Sequence, residues 1–250
     1  ATAYFEPRYN VNANWQLYAG IAGSAVKLPP DPTAEIDFYA GVRPTFGPLA
    51  LDFGFIYYYY PKERQIDGVV ITAPPAFNTT LANTDFWEIY GKATYAFNDA
   101  FSVGANLYYS PNWLNSGANG TYISGTAKYV LPVALPSDIG WYVSGELGYY
   151  SLGTTKFDAI AFPAAGGWDL PSYTHWNAGI GFTWKVFTLD LRYHDTDLSK
   201  EECNVLTADP GATLGGTPIP VTNVLGAQSK WCGSAFIAKL SFDLTLANLK

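Results

Sequence analysis

The sequence predicts an all-β protein, an antiparallel transmembrane β-barrel, on three observations. Apolar residues recur at every second position, connections alternate between short and long, and charge keeps to one phase of the alternation. Residues 49–59, LALDFGFIYYY, show the first. Leu49, Leu51, Phe53, Phe55, Tyr57 and Tyr59 form one face, and Ala50, Asp52, Gly54, Ile56 and Tyr58 the other.

Eleven segments carry this pattern: 2–9, 14–22, 34–43, 49–59, 85–97, 100–109, 121–131, 140–150, 172–184, 187–194 and 235–244. Most run 8 to 13 residues, near the length of a tilted strand that crosses a bilayer. No stretch reads as a helix of more than a turn or two. The connections hold 4, 11, 5, 25, 2, 11, 8, 21, 2 and 40 residues in turn. Short turns at one end and long loops at the other are the habit of an outer-membrane barrel, so 23–33, 60–84, 110–120, 151–171 and 195–234 are read as extracellular loops of one domain, 1–250. Turn-forming residues fill the short connections, as in Asn98-Asp99 and Asn10 to Ala13.

Of fifteen charged residues in these windows, fourteen share the phase opposite the apolar face. They are Glu6, Arg8, Glu35, Asp37, Arg43, Asp52, Glu88, Lys92, Lys128, Glu146, Asp190, Arg192, Lys239 and Asp243. Asp85 alone breaks phase, at the start of its strand. A Lys or Arg facing lipid near the midplane costs about 2–4 kcal/mol, which is reason enough for the segregation. Ten tyrosines share the charged phase: Tyr4, Tyr18, Tyr39, Tyr58, Tyr90, Tyr108, Tyr122, Tyr142, Tyr150 and Tyr173. The apolar face is aromatic at both ends. Trp15, Phe97, Phe101, Trp141, Trp184 and Phe187 lie near the short turns, and Tyr57, Tyr59, Trp87, Tyr109, Tyr149, Trp176, Tyr193 and Phe236 near the long loops. Such rings favour the headgroup layer.

Composition removes other classes. Charged residues are only 14% and aromatic residues 17%, which excludes a disordered chain. A net charge of −7 and the lack of any basic run argue against nucleic acid as a partner. No stretch is long and apolar enough for a spanning helix. The chain lacks Met, so Ala1 is read as a processed or trimmed start. Cys203 and Cys232, a lone pair in a polar Gly/Pro-rich loop, are expected to form a disulfide in an oxidising compartment. Eleven strands is an odd number, whereas bacterial single-chain barrels are even. The expectation is a twelve-stranded barrel whose first strand lies upstream of Ala1 or is supplied in another way.

The segments EIDFYAG (35–41), LDFGFIYYYYP (51–61), FWEIYG (86–91) and LRYHDTDLS (191–199) resemble the TorF family of proteobacterial outer-membrane porins, in order and over most of the chain. The resemblance implies the outer membrane of a Gram-negative bacterium. Membrane lipid and lipopolysaccharide are then the surroundings, and an N-terminal strand precedes the counterpart of residues 2–9.

No catalytic set stands out, and the chain is read as not an enzyme, without cofactor or metal. His175 and His194 both share the lumen phase. His194, Asp195, Asp197, Glu201 and Glu202 form an acidic cluster that reads as a solvated loop rather than a cation site. The lumen phase holds eight acids and six bases. The pore lining is therefore assigned to Glu35, Asp37, Arg43, Asp52, Glu88, Lys92, Lys128, Glu146, Asp190, Arg192, Lys239 and Asp243. The expected function is passive diffusion of ions or small polar solutes through a narrow, charged, tyrosine-lined lumen, slightly cation-preferring by its excess of acids. The second reading is a closed barrel, sealed by ion pairs of Arg43 or Arg192, whose loops recognise a protein partner or ligand. The third and remotest is an outer-membrane hydrolase.

Overall fold

The structure, a computed structural model, describes residues 1–63, 83–133, 135–156, 167–220 and 222–245. Twelve strands make one antiparallel sheet: β1 (Thr2–Phe5), β2 (Arg8–Asn12), β3 (Trp15–Ser24), β4 (Glu35–Phe46), β5 (Leu49–Tyr59), β6 (Phe86–Ala96), β7 (Phe101–Ser110), β8 (Gly120–Val130), β9 (Gly140–Leu152), β10 (Tyr173–Trp184), β11 (Phe187–Thr196) and β12 (Ala235–Phe242). Each strand from β3 onward pairs with the next in sequence, as a meander requires.

β1 and β2 both pair with β3 and together occupy one position in the sheet, so the wall has eleven positions. The expected strand 2–9 therefore runs to Asn12 and is interrupted at Glu6–Pro7. Pro7 has no N–H to give the ladder, but its carbonyl still accepts from the Ala19 N–H at 3.3 Å. The remaining strand limits shift by at most three residues. Gly23, Ser24, Ser110, Gly120, Ser151, Leu152, Asp195 and Thr196, expected in loops, extend their strands instead. Backbone ladders continue past the headgroup layer as long as partners are available. Residues 64–82 and 157–166, within two of the expected loops, lie outside the described residues.

The sheet is not closed by a ladder. β1–β2 and β12 both run from the loop side to the turn side, and no described residues pair between them. The two edges still approach: the Tyr4 hydroxyl donates to an Asp243 carboxylate oxygen across the gap. The wall thus curls round until its edges meet through side chains.

Its hydrophobicity is inverted. The buried apolar side chains among the described residues are Tyr18, Tyr60, Phe86, Ala118, Leu152 and Cys203, with no Ile or Val. Leu17, Ile21, Phe38, Ile89, Leu107, Ile123 and Leu240 lie exposed on the outer face, and Leu147 is 62% exposed. This is the surface of a wall that meets lipid, not water. The turn-side aromatic residues make contacts along the rim, Trp15 edge-on to Phe46 and Trp184 stacked with Phe187. Phe55 leans on Trp87 and Tyr193 meets Phe236 toward the loop side.

Candidate functional site: the lumen

The lumen face carries a row of directly paired residues running across the strands. Tyr90, Tyr108, Tyr122, Tyr150 and Tyr173 are successive partners from β6 to β10. Their ring centroids lie 5.3, 6.0, 5.7 and 6.0 Å apart, within the range of favourable aromatic contact. The row continues from Tyr90 through Gly54 and Gly41 to Tyr18. The two glycines leave a notch. A side chain at Gly54 would strike the Tyr90 ring, and one at Gly41 the Tyr18 ring. Tyr18 and Tyr90 fold over this notch and join through their hydroxyls. Small residues are needed there because rings lie flat on the backbone.

Three polar networks are built around these rings. On the turn side, the Arg43 guanidinium donates to Glu6 at 2.8 and 3.1 Å and through Nε to Asp52 Oδ2 at 3.0 Å. It also lies 3.7 Å from the Tyr18 ring centroid. The Tyr18 hydroxyl donates to the other Asp52 oxygen, and Arg8 pairs with Glu6. On the β8–β11 wall, Arg192 pairs with Asp190 at 2.9 Å and donates to Asn177 at 2.6 Å and Ser144 at 2.7 Å. Asn177 reaches Glu146, which accepts from the Tyr122 hydroxyl at 2.7 Å.

The third network lies at the loop side. Glu88, only 5% exposed, accepts from the Tyr58 hydroxyl at 3.0 Å and the Tyr150 hydroxyl at 3.2 Å. β6 and β9 are separated by two strands, so the Tyr150 bond crosses a chord of the lumen. Tyr58 stacks on Phe86, and Trp113 from the 111–119 loop packs edge-on to Tyr150. Tyr60 donates to Glu35 at 2.8 Å. These groups form a cluster of phenols and carboxylates that narrows the lumen. Replacing Glu88 by Ala strands two half-buried hydroxyls, and a charge-assisted bond of this kind is worth about 1.5–3 kcal/mol. Glu88→Ala is expected to lower the unfolding midpoint of the refolded protein, with Glu88→Gln retaining part of the stability.

The assigned lining residues fall in three sets. Arg43, Asp52, Glu146, Asp190 and Arg192 are tied into the networks above. Glu35, Asp37 and Glu88 lie at the loop side, where one Asp37 oxygen is buried without a hydrogen-bond partner among the described residues. Lys92, Lys128, Lys239 and Asp243 make no ion pair within 4.0 Å among the described residues. The Lys128 ammonium sits 4.1 Å from the Tyr142 ring centroid, Lys239 lies opposite Asp190 on the edge strand, and Asp243 takes the Tyr4 hydroxyl. Glu6 and Arg8 carry the same charged phase and stand outside the lining expected from the sequence, yet Glu6 is a bidentate partner of Arg43. Asp85, the phase-breaker, is a structural anchor. It accepts from the Tyr60 N–H at 2.7 Å and the Tyr57 hydroxyl at 3.3 Å.

On the turn side lies an open vestibule of about 620 Å³, lined by polar residues of β2 to β7, among them Asn10, Gln16, Arg43, Lys92 and Asn106. A second cleft, of about 550 Å³, opens outside the wall between Asp169–Pro171 and the 197–234 loop.

That loop is folded. Cys203 and Cys232 are bonded. A helix α1 (Lys200–Thr207) starts at Ser199, whose hydroxyl takes the Glu202 N–H while the Glu202 carboxylate takes the Ser199 N–H. Ser229 donates to Asp209 at 2.7 Å, both buried. The acidic residues near it have structural partners. Asp195 holds Tyr193, Asp197 caps Thr174, and Glu201 takes the Gln228 amide and the Thr217 N–H, which hold its carboxyl below the usual range. No group of three metal-ligating side chains occurs among the described residues. His175 stacks on Tyr122 and shares a 2.7 Å hydrogen bond with its hydroxyl.

No family model matches the chain, and no characterised protein sequence matches it. Among solved structures, the chain is similar to in-vitro folded OmpT, an outer membrane protein of Vibrio cholerae, at 15% identity and a TM-score of 0.45, over 96% of this chain and 63% of that one. Outer-membrane expressed OmpT of Vibrio cholerae gives 15% identity and a TM-score of 0.47, over 95% and 63%. This chain spans less than two thirds of the length of either.

Proposed function

We propose that the chain is the wall of a narrow outer-membrane channel of a Gram-negative bacterium, of the TorF porin type, that passes ions or small polar solutes. The observation that carries this reading is the continuous charged and phenolic lining, open at the turn side into the 620 Å³ vestibule and constricted at the loop side around Glu88. A strand running opposite to β1–β2 and β12 would pair antiparallel with both edges and complete the wall, as the parity of bacterial barrels requires. Lipid and lipopolysaccharide bathe the outer face.

The chain acts in this reading without catalysis. Neither histidine hydrogen-bonds a serine among the described residues, and the His175 ring is engaged by Tyr122. Recording the refolded chain in planar bilayers tests the reading. Discrete small conductance steps are expected. An intact β-rich protein that inserts and gives none would reject it.

The second reading, a sealed barrel that presents its loops, is favoured by two observations. The ion pairs of Arg43 and Arg192 that it calls for are present, and the stapled loop forms one wall of the outer cleft. A silent bilayer with saturable surface binding would support it.

A further inference from the structure

The bases of the lumen gather at its turn side, whereas its acids are spread along the axis, Asp52 and Asp190 lying three residues from the turn-side ends of their strands. Arg8, Arg43, Lys92, Lys128, Arg192 and Lys239 all lie within five residues of the turn-side ends of their strands. Glu35, Asp37 and Glu88 lie eight or more residues from those ends. Within the turn-side vestibule the charges are also unequally matched. Arg43 and Arg8 together are matched by Glu6 and Asp52. Lys92 directly faces Asp52 across the β5–β6 ladder, yet Arg43 and Tyr18 occupy both Asp52 oxygens. The Lys92 ammonium is left against the faces of Tyr90 and Tyr108, at 4.7 and 5.2 Å from their centroids, with no carboxylate in ion-pair range among the described residues. A cation held only by π faces keeps hydrogen-bond donors for an anion.

The rest of the lining is rich in neutral amides. Asn10, Asn12, Asn14, Gln16 and Asn106 converge on the same cavity. The Gln16 amide is given to Asn10 at 2.8 Å and that of Asn106 to Ser124 at 2.9 Å. Both keep a carbonyl oxygen that can accept from a hydroxyl. One unpaired positive charge suits a monoanion better than a dianionic phosphate, which favours a guanidinium fork or several cations. The volume is within the usual range for a small-molecule site.

We infer that the turn-side vestibule is a binding subsite for a small polyhydroxylated monocarboxylate, with Lys92 holding the carboxylate and the amides of Gln16 and Asn106 the hydroxyls. The inference rests on the channel reading for its physiological sense, but the binding itself does not require conduction.

Ligand-observed NMR titration of the refolded full chain in detergent micelles tests it, with gluconate as the probe and sorbitol and acetate as single-feature controls. Gluconate is expected to bind at least about tenfold more tightly than either control. Lys92→Gln should weaken gluconate about tenfold or more, Lys92→Arg should retain most of the affinity, and sorbitol binding should be unmoved by either. Far-UV circular dichroism confirms that each variant is folded. Gluconate no tighter than sorbitol, or unaffected by Lys92→Gln in a folded protein, overturns the subsite. Because the titration is read in micelles, a silent bilayer leaves it standing, and a conducting channel that binds gluconate no tighter than sorbitol in micelles loses the subsite alone.

Discussion

Leu147→Arg is expected to destabilise the wall by about 2–4 kcal/mol in a lipid bilayer, the cost of a guanidinium near the membrane midplane. Leu147 lies mid-strand in β9 and is 62% exposed on the face that carries Val143 and Tyr149. In water, an exposed Leu is replaced by Arg at almost no cost. The penalty therefore reports directly that lipid lies outside. Thr94→Arg provides the comparison, because Thr94 lines the vestibule and a cation there remains hydrated. Denaturant titration of both variants refolded into vesicles should show a lowered midpoint for the first and almost none for the second. Equal losses would mean that the exposed apolar face does not meet hydrocarbon.

The second large effect concerns the 197–234 loop. In the chain-entropy model, a bridge between residues 29 apart in sequence contributes about 3–4 kcal/mol to the structure it closes. The double variant Cys203→Ser, Cys232→Ser is expected to lose that amount locally. The helix and the buried Ser229–Asp209 bond would open, while the strands keep their ladder partners on both sides. Limited proteolysis should cut the loop at least about a hundredfold faster, with an unchanged denaturation midpoint for the wall. A large fall in the wall midpoint would show instead that the loop is part of its cooperative unit.

The alternation of side chains made the strands legible, since one face had to be apolar from end to end. Segment 49–59 is reproduced at both ends, and 140–150 gains only two residues. Pro7 shows where that reading stops. Alternation runs through it, but a missing N–H divides the strand into β1 and β2. The disulfide was legible because only one pairing was possible. Alternation is blind to the helix, for which Ser199 followed by Glu202 is the capping signal in the sequence.

The lumen was legible as a face and not as a set of contacts. Which tyrosine meets which carboxylate depends on register, and alternation leaves register open by multiples of two residues. Alternation alone therefore does not join Glu6 to Arg43, nor does it separate Lys92 from its ion-paired neighbours. Tyrosine and glycine recurring in the charged phase was the available signal for the rings lying on Gly41 and Gly54.

A β-wall threading itself into a bilayer must also avoid mispairing by two residues, an error that keeps every oily side chain outside and so escapes correction by the hydrophobic effect. The phenolic row from Tyr90 to Tyr173 penalises that error. A two-step slip at any of its four ladders would break a ring contact and set a tyrosine beside a residue of another kind, so proofreading of the assembly resides in its wet interior.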